Sequence, residues 1–119
     1  KLSDAVARVA VQEDNRARLY ERGRALLQRN RQLFSEWLAE LGEGFSWVPP
    51  AAGAMAVVKY SSPIPSLELA ERIRENQSTL IVPGIHLGLE GYVRIWLGGE
   101  QAYLEEGLRR VAVEMSALR

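Results

Sequence analysis

Helical spacing of apolar side chains dominates the first third of the chain. The pattern predicts that residues from about 4 to 41 are mostly helix, with a bend or break near residues 14 and 15. Ser3 and Asp4 are suitable N-cap residues at its start, and Gly42 is a natural stop at its end. The apolar positions that recur along this stretch include Leu19, Leu26, Leu27, Leu33, Phe34, Trp37, Leu38 and Leu41.

After residue 42 the pattern changes to short apolar runs bounded by proline and glycine, which is typical of strands. Helical spacing returns in Ser66–Asn76, where Ser66 can cap the helix, and again after Gly99. In the last helix we expect two i,i+4 ion pairs, from Glu105 to Arg109 and from Glu106 to Arg110. The four predicted strands are Phe45–Val48, Ala51–Tyr60, Thr79–Val82 and Gly91–Gly98.

The order helix, strand, strand, helix, strand, strand, helix predicts an α+β fold. It would have a small, mainly antiparallel sheet with helices packed on it. We expect a single domain over residues 1–119, because this length is ordinary for one domain and sufficient to bury a core. Within it, residues 1–41 would be mostly a long helix, and residues 45–119 would carry the sheet and two helices.

Composition excludes several kinds of function. The formal net charge is +0, which argues against nucleic acid or an anionic membrane surface as a partner. The chain has no cysteine, which excludes disulfides, thiolate catalysis and zinc–cysteine sites and fits a cytoplasmic protein. A single histidine and no acidic cluster give no metal site. No apolar run approaches the roughly 20 residues of a membrane span.

The first residues suggest a piece of something larger. The chain begins at Lys1 without an initiator methionine and enters a helical pattern almost at once. We therefore expect a piece cut from a longer polypeptide, with a processed or incomplete small protein as the alternative.

Arg94 is the first candidate for chemistry, since it lies in the middle of the strand-like stretch GYVRIWLG. Side chains alternate along a strand, so one face of this strand is apolar and the other places Arg94 between Tyr92 and Trp96. A solvent-facing arginine on the open side of a sheet is one interpretation. The other is capture of a carboxylate or phosphate, because the guanidinium presents a planar fork of donors that matches a carboxylate.

Two loops and one lysine are weaker candidates. VPGIHLGLEG, Val82–Gly91, connects two strands and contains the only histidine, His86. PPAAGAM, Pro49–Met55, includes Gly53 and allows close approach of the backbone to a ligand or a neighbouring domain. Both loops are also ordinary tight turns. Lys59 follows an apolar strand without a glycine-rich phosphate cradle nearby, so it is not expected to form a Schiff base.

The residues also carry a resemblance to a known family. In order, the segments are RNRQLFSEWL, PPAAGAMAVVKY, SLELAERIRE, TLIVPGIHLGLEGYVRIWLG and YLEEGLRRV. This series resembles the C-terminal small domain of class I/II (fold-type I) aminotransferases, which depend on pyridoxal phosphate. The resemblance covers nearly the whole chain from about Arg24. Its most specific part is the proline-glycine loop followed by a glycine-bounded strand with a central arginine.

The resemblance implies roles for particular residues. In the family, the arginine of this last strand binds the substrate α-carboxylate, and by position that residue is Arg94. The preceding loop, with His86 and Leu87, is similar to the family loop beside the active-site entrance. The family commonly has an aromatic where Leu87 stands and often an acidic residue where Ile85 stands, which leaves side-chain selectivity open. The turn at Gly53 matches a segment that approaches the substrate.

The resemblance also implies what lies outside the chain. Such enzymes use pyridoxal 5'-phosphate, held by a lysine, an aspartate and a phosphate cup in a large N-terminal domain. The fragment alone should therefore be inactive, while the parent would transfer an amino group between an amino acid and a 2-oxo acid. The family is usually homodimeric. Open alternatives are a related lyase or synthase, the effector domain of a transcription regulator with a winged-helix head, and a free-standing binding module.

Overall fold

The computed structural model describes residues 1–118. Two helices open the chain, α1 (Leu2–Ala10) and α2 (Glu13–Leu41), and the helical path is interrupted at Val11 and Gln12. Asn15 holds this break, because its side-chain amide donates to the carbonyl oxygen of Val9 at 2.8 Å. The break thus comes just before residues 14 and 15, where the sequence predicts one.

The sheet has four antiparallel strands in the spatial order β1-β2-β4-β3. Two further helices, α3 and α4, complete the fold. The predicted α+β class with a small antiparallel sheet is confirmed. The remaining elements are β1 (Phe45–Trp47), β2 (Met55–Tyr60), α3 (Ser66–Gln77), β3 (Val82–Pro83), a 3-10 turn (Gly84–Leu87), β4 (Tyr92–Trp96) and α4 (Gln101–Ser116).

The core lies between one face of the sheet and the helices. Val93 and Ile95 of β4, and Leu97 directly after it, point into the core, and all three are buried. Phe34 of α2 is fully buried, with its ring centroid 4.8 Å from that of Trp47 on β1. Since the helices cover only this face, the sheet has a second face that they leave open.

Buried polar groups join the helices to each other. The indole nitrogen of Trp37 on α2 donates to the carbonyl oxygen of Leu108 on α4, at 3.0 Å. The carboxylate of Glu114 on α4 is also buried and accepts from Arg72 at 3.2 Å and from Asn76 at 3.0 Å, both on α3. Burial of a charge is tolerated here because it is paired and hydrogen-bonded.

Several local predictions are wrong. Helix α1 begins at Leu2 with Lys1 at its cap position, so Ser3 and Asp4 lie inside the helix instead of capping it, and β2 begins at Met55 rather than Ala51. The third strand is Val82–Pro83 rather than Thr79–Val82, because pairing with β4 begins at Val82 and continues through Pro83 on a sheet edge, where proline is tolerated. Ser66 is the first residue of α3 rather than its cap, and its hydroxyl bonds outside the helix.

Of the two ion pairs predicted on α4, Glu106 with Arg110 is confirmed and Glu105 with Arg109 is wrong. Glu106 binds both Arg109 and Arg110, each at 2.7 Å, whereas Glu105 accepts from Gln101 instead of pairing with an arginine. The shared partner arises because positions three and four residues ahead lie on the same side of a helix.

None of the helices within residues 1–118 has the length and hydropathy needed to cross a membrane.

Candidate functional site

Arg94 occupies the middle of the sheet. It lies directly opposite Val57 of β2 on one side and Val82 of β3 on the other. Its side chain points away from the core and is half-buried. A residue at the centre of a paired strand has a fixed backbone, so the direction in which Arg94 leaves the sheet is fixed as well.

The open face of the sheet surrounds Arg94 with mostly uncharged side chains. Register places Lys59 opposite Tyr92 and Met55 opposite Trp96, all on this face. The two cations, Arg94 and Lys59, are therefore its only charged sheet residues in the part of the chain that the structure describes. The uncharged members of the face are Ser46, Met55, Val57, Val82, Tyr92 and Trp96.

Arg94 has no carboxylate within 4.0 Å among residues 1–118. The guanidinium carries five N–H donors, and a cation in half-buried surroundings without an acidic partner is suited to binding an anion. This arrangement favours the anion-binding interpretation over an arginine that is paired with a neighbouring glutamate.

Trp96 closes one end of the open face by lying over the glycines that follow β4. A Cβ atom on Gly98 would come within 2.5 Å of the indole nitrogen of Trp96, and one on Gly99 within 3.4 Å of its ring. Glycine at these positions therefore allows the ring to lie against the backbone. About half of Trp96 (54%) stays exposed.

The loop before β4 is fixed by Ser66 and Glu90. The backbone amide of Ser66 donates to the carboxylate of Glu90 at 2.6 Å, and its hydroxyl lies 3.2 Å from the other carboxylate oxygen. The same hydroxyl accepts from the amide of Ile85 at 3.1 Å. Hydrogen bonds from the backbone amides of Ser66 and Gly91 hold the pKa of Glu90 below its ordinary value. Glu90 thus remains ionised at neutral pH and satisfies a free amide at the start of α3.

Gly84 lets this loop close on itself. A Cβ atom at this position would overlap the carbonyl oxygens of Leu89 and Tyr92, which belong to backbone and cannot rotate away. The amide of Leu89 donates to the carbonyl oxygen of Gly84 at 2.9 Å. The proline-glycine loop is therefore a compact unit in which only glycine fits at residue 84.

The structure places the other predicted site residues at the two ends of β4. Gly53, with φ +92°, forms the turn before β2, and the neighbouring Ala54 accepts from the amide of Leu97. His86 and Leu87 are exposed in the 3-10 turn, which packs at the Tyr92 end. The turn at Gly53 and the turn with His86 thus lie at opposite ends of the strand that carries Arg94.

Ser66 and Glu90 were missed by the sequence reasoning. The only local signal for Ser66 is its place at a helix start, which suggests a cap within its own helix. Glu90 lies 24 positions further along the chain and is one of 15 acidic residues. Nothing in the spacing singles it out, so this contact became visible only with the tertiary structure.

Besides a groove of 410 Å³ at Gly44 and Ser61, two larger grooves lie among the residues that the structure describes, and Arg94 lines none of the three. One, of 490 Å³, lies between α4 and residues 78–81 and includes Trp96 and Tyr103. The other, of 590 Å³, lies between α1 and the first turns of α2. Arg94 thus lies outside these grooves, on the face of the sheet that the helices leave open.

The residues described do not form a site for pyridoxal phosphate. Lys59 is exposed on the open face, and Lys1 is the first residue of the chain. Helix N-termini are the usual phosphate sites, but here each of the four carries a carboxylate in its first turn or at its cap. These acidic residues are Asp4 on α1, Glu13 and Asp14 on α2, Glu68 with the bound Glu90 on α3, and Glu100 at the cap of α4. Among residues 1–118, therefore, neither a lysine nor a helix N-terminus offers an evident place for the phosphate of such a cofactor.

Comparison with known proteins gives one family match. The model of the family "Aminotransferase class I and II" matches residues 1–111. No match was found among curated proteins.

Solved structures agree in fold over most of the chain. A PLP-dependent aminotransferase from Streptococcus suis 89-1591 is similar with a TM-score of 0.91 and 25% identity, over 99% of this chain and 31% of that one. An aromatic aminotransferase from Pyrococcus horikoshii OT3 gives 0.78 and 26%, over 92% and 29%. Aspartate aminotransferase from Thermus thermophilus with maleate gives 0.74 and 27%, over 88% and 27%. The chain thus spans less than a third of the length of these relatives.

Proposed function

Because the chain belongs to the class I and II aminotransferase family, we propose that it is the C-terminal domain of a pyridoxal-phosphate-dependent aminotransferase in which Arg94 binds the substrate α-carboxylate. The parent enzyme would transfer an amino group between an amino acid and a 2-oxo acid.

The proposal rests on the fixed position of Arg94 in the sheet and on the absence of a carboxylate partner for it within residues 1–118. Its backbone is fixed between β2 and β3, and no carboxylate within residues 1–118 neutralises its guanidinium. A carboxylate that binds such a group in a bidentate manner is held in both position and orientation. Orientation matters for amino-group transfer, since the Cα–H bond of the substrate must point correctly relative to the cofactor.

The two turns beside β4 would form the edges of the same site. We propose that the backbone at Gly53 approaches the substrate from one end and that His86 and Leu87 line the entrance at the other. Exposed apolar side chains cluster at this entrance: Ile85, Leu87 and Leu89 are 47%, 42% and 43% exposed. Their exposure supports an entrance that is covered in the complete enzyme.

The cofactor belongs to the rest of the parent protein in this proposal. Pyridoxal phosphate, when bound, supplies the electron sink for the reaction. A large N-terminal domain would provide its lysine and phosphate site and would complete the enclosure of Arg94. We propose that the parent is a cytoplasmic homodimer and that the 119-residue chain alone is inactive.

The test is the visible absorbance of the full-length protein with pyridoxal phosphate, before and after addition of a panel of amino acids. An aminotransferase shows the band of the bound cofactor and loses it as the amino group is transferred, and the amino acid that removes it identifies the donor. A band that no amino acid changes would contradict transfer and favour a regulator. Release of an eliminated product without a new amino acid would favour a lyase.

A further inference from the structure

We infer that Ser66 and Glu90 are positioning residues for Arg94: together they fix the loop Gly84–Glu90 and the start of β4, and so set where the guanidinium stands. This inference rests on the proposed function, because it assigns these two residues to the same carboxylate-binding site. Neither residue contacts a substrate in this account.

Ser66 connects the start of α3 to the loop before β4, instead of capping its own helix. It is fully buried, and both its amide and its hydroxyl are hydrogen-bonded to the loop. The hydroxyl lies between the carboxylate of Glu90 and the amide of Ile85, so one oxygen atom joins both ends of the loop to α3. Loss of this atom would free the amide of Ile85 and leave the Glu90 end held by the backbone amide of Ser66 alone.

Glu90 connects the same junction to the sheet. One of its carboxylate oxygens accepts from the amide of Ser66 and from the amide of Gly91, the latter at 3.1 Å. The carbonyl oxygen of Gly91 in turn accepts from the amide of Tyr60 on β2, at 3.0 Å. Hydrogen bonds to an ionised acceptor are about twice as strong as those between neutral groups. The start of β4 is therefore held from both α3 and β2.

Arg94 follows three residues after Gly91 on the same strand. Pairing with β2 and β3 keeps Arg94 on the open face, but a displacement at the start of β4 would shift the backbone of the strand and with it the position of the guanidinium. The apolar entrance residues on the loop would move with it. Because Ser66 and Glu90 set this start, they act on carboxylate binding through backbone position.

The test uses the full-length enzyme and separates KM from kcat. We expect Ser66→Ala and Glu90→Ala each to raise KM for the amino donor roughly tenfold, because a displaced guanidinium loses part of its bidentate fit to the carboxylate. We expect kcat to stay within about twofold, since Arg94 itself is intact and still orients the carboxylate once it is bound, whereas the weaker binding applies to ground state and transition state alike. Glu68→Ala, an exposed acidic residue in the first turn of the same helix, is the matched control and should leave KM unchanged.

Two further variants distinguish positioning from simple stabilisation. Glu90→Gln keeps an acceptor for the amide of Ser66, so its KM should lie between those of the wild type and Glu90→Ala. The double variant should raise KM by much less than the product of the single effects, since both residues act in one network. A wild-type KM in Glu90→Ala would overturn the inference. If Glu90→Ala does not fold, the smaller change Ser66→Ala takes its place, and a wild-type KM in that variant would overturn the inference in the same way.

The same assay separates failure of this inference from failure of the proposed function. If Arg94→Lys raises KM and the Ser66 and Glu90 variants do not, only the positioning inference falls. If Arg94→Lys itself leaves KM unchanged, carboxylate binding by Arg94 is wrong and the positioning roles fall with it.

Discussion

The side-chain amide of Asn30, in the middle of α2, donates a hydrogen bond of 2.7 Å to the carbonyl oxygen of Leu97 at the end of β4. Its second hydrogen goes to the carbonyl oxygen of Gly99, at 2.8 Å. Asn30 is buried, with 1% of its surface exposed. The long helix is thereby attached to the strand that carries Arg94, just after that strand ends.

Replacement of this asparagine should destabilise the fold strongly. Asn30→Ala leaves two carbonyl oxygens without a donor, each at a cost of about 1–3 kcal/mol when buried. We expect a loss of roughly 3 kcal/mol in the free energy of unfolding, measured by urea denaturation. Gln28→Ala, an exposed position on the same helix, should change it by less than about 0.5 kcal/mol. Equal effects of the two substitutions would contradict the role given to Asn30.

Glu114 should be the acidic residue that contributes most to stability. It is buried and accepts hydrogen bonds from Arg72 and Asn76 of α3, so Glu114→Ala leaves these donors without their acceptor. We expect a loss of roughly 2 kcal/mol by chemical denaturation, and a smaller loss for Glu114→Gln, which keeps one acceptor oxygen. Glu71→Ala on the exposed side of α3 is the control. A more stable Glu114→Ala protein would show that the buried pair costs more than it contributes.

Two glycine-to-alanine substitutions should have opposite effects. At Gly84 an added methyl group meets backbone oxygens, so the loop must move and we expect a loss of more than about 2 kcal/mol. At Gly23, within α2, nothing lies within 4 Å, and alanine should stabilise the helix by about 1 kcal/mol. Thermal unfolding of both variants checks this pair, and the same sign for both would refute the tight closure of the loop.

At low pH Glu90 should contribute less to the stability of the fold. Its pKa is lower in the folded state than its ordinary value of 4.5, so its contribution to stability is present above that pH and disappears as pH falls through the folded pKa. Wild type should thus exceed Glu90→Gln in stability at pH 7, with the difference shrinking in strong acid. A difference that does not depend on pH would show that the charge of Glu90 is not involved.

At high pH the fold should lose stability through deprotonation of Tyr60. Burial, and then the charge of Glu90, raise the pKa of Tyr60 from 10.0 to about 12, and its hydroxyl donates to the carbonyl oxygen of Ile64 at 2.8 Å. The unfolded chain releases this proton first, so the contribution is complete below pH 10 and is lost as pH rises towards 12. Tyr60→Phe should flatten this part of the stability profile. An unchanged slope would assign the alkaline loss to other groups.

The two faces of β4 could be predicted from the sequence alone, because side chains alternate between the two faces of a strand. Alternation assigned Val93 and Ile95 to the core and Arg94 to the other face, and burial agrees. The rule needs no knowledge of partners, since the two faces of a strand follow from the backbone alone. The helices were predicted for the same reason, and their bounds differ by only a few residues.

The network of Ser66 and Glu90 could not be predicted in this way. It depends on a helix start and a loop end that meet only after the sheet has formed, and no periodicity connects them. The short β3 strand was misplaced for a related reason. Pairing with β4, not local composition, decides that Val82 and Pro83 rather than Thr79–Ile81 join the sheet.

The most direct test of carboxylate binding by Arg94 is the dissociation constant of the amino donor for the full-length enzyme, from rapid-mixing absorbance of the bound cofactor. Arg94→Lys keeps the charge but loses the planar fork, so we expect donor binding to weaken roughly 10- to 100-fold while cofactor absorbance and affinity stay unchanged. Arg74→Lys, an exposed arginine on α3, is the matched control. A donor dissociation constant within twofold of the wild type in Arg94→Lys would contradict the central claim.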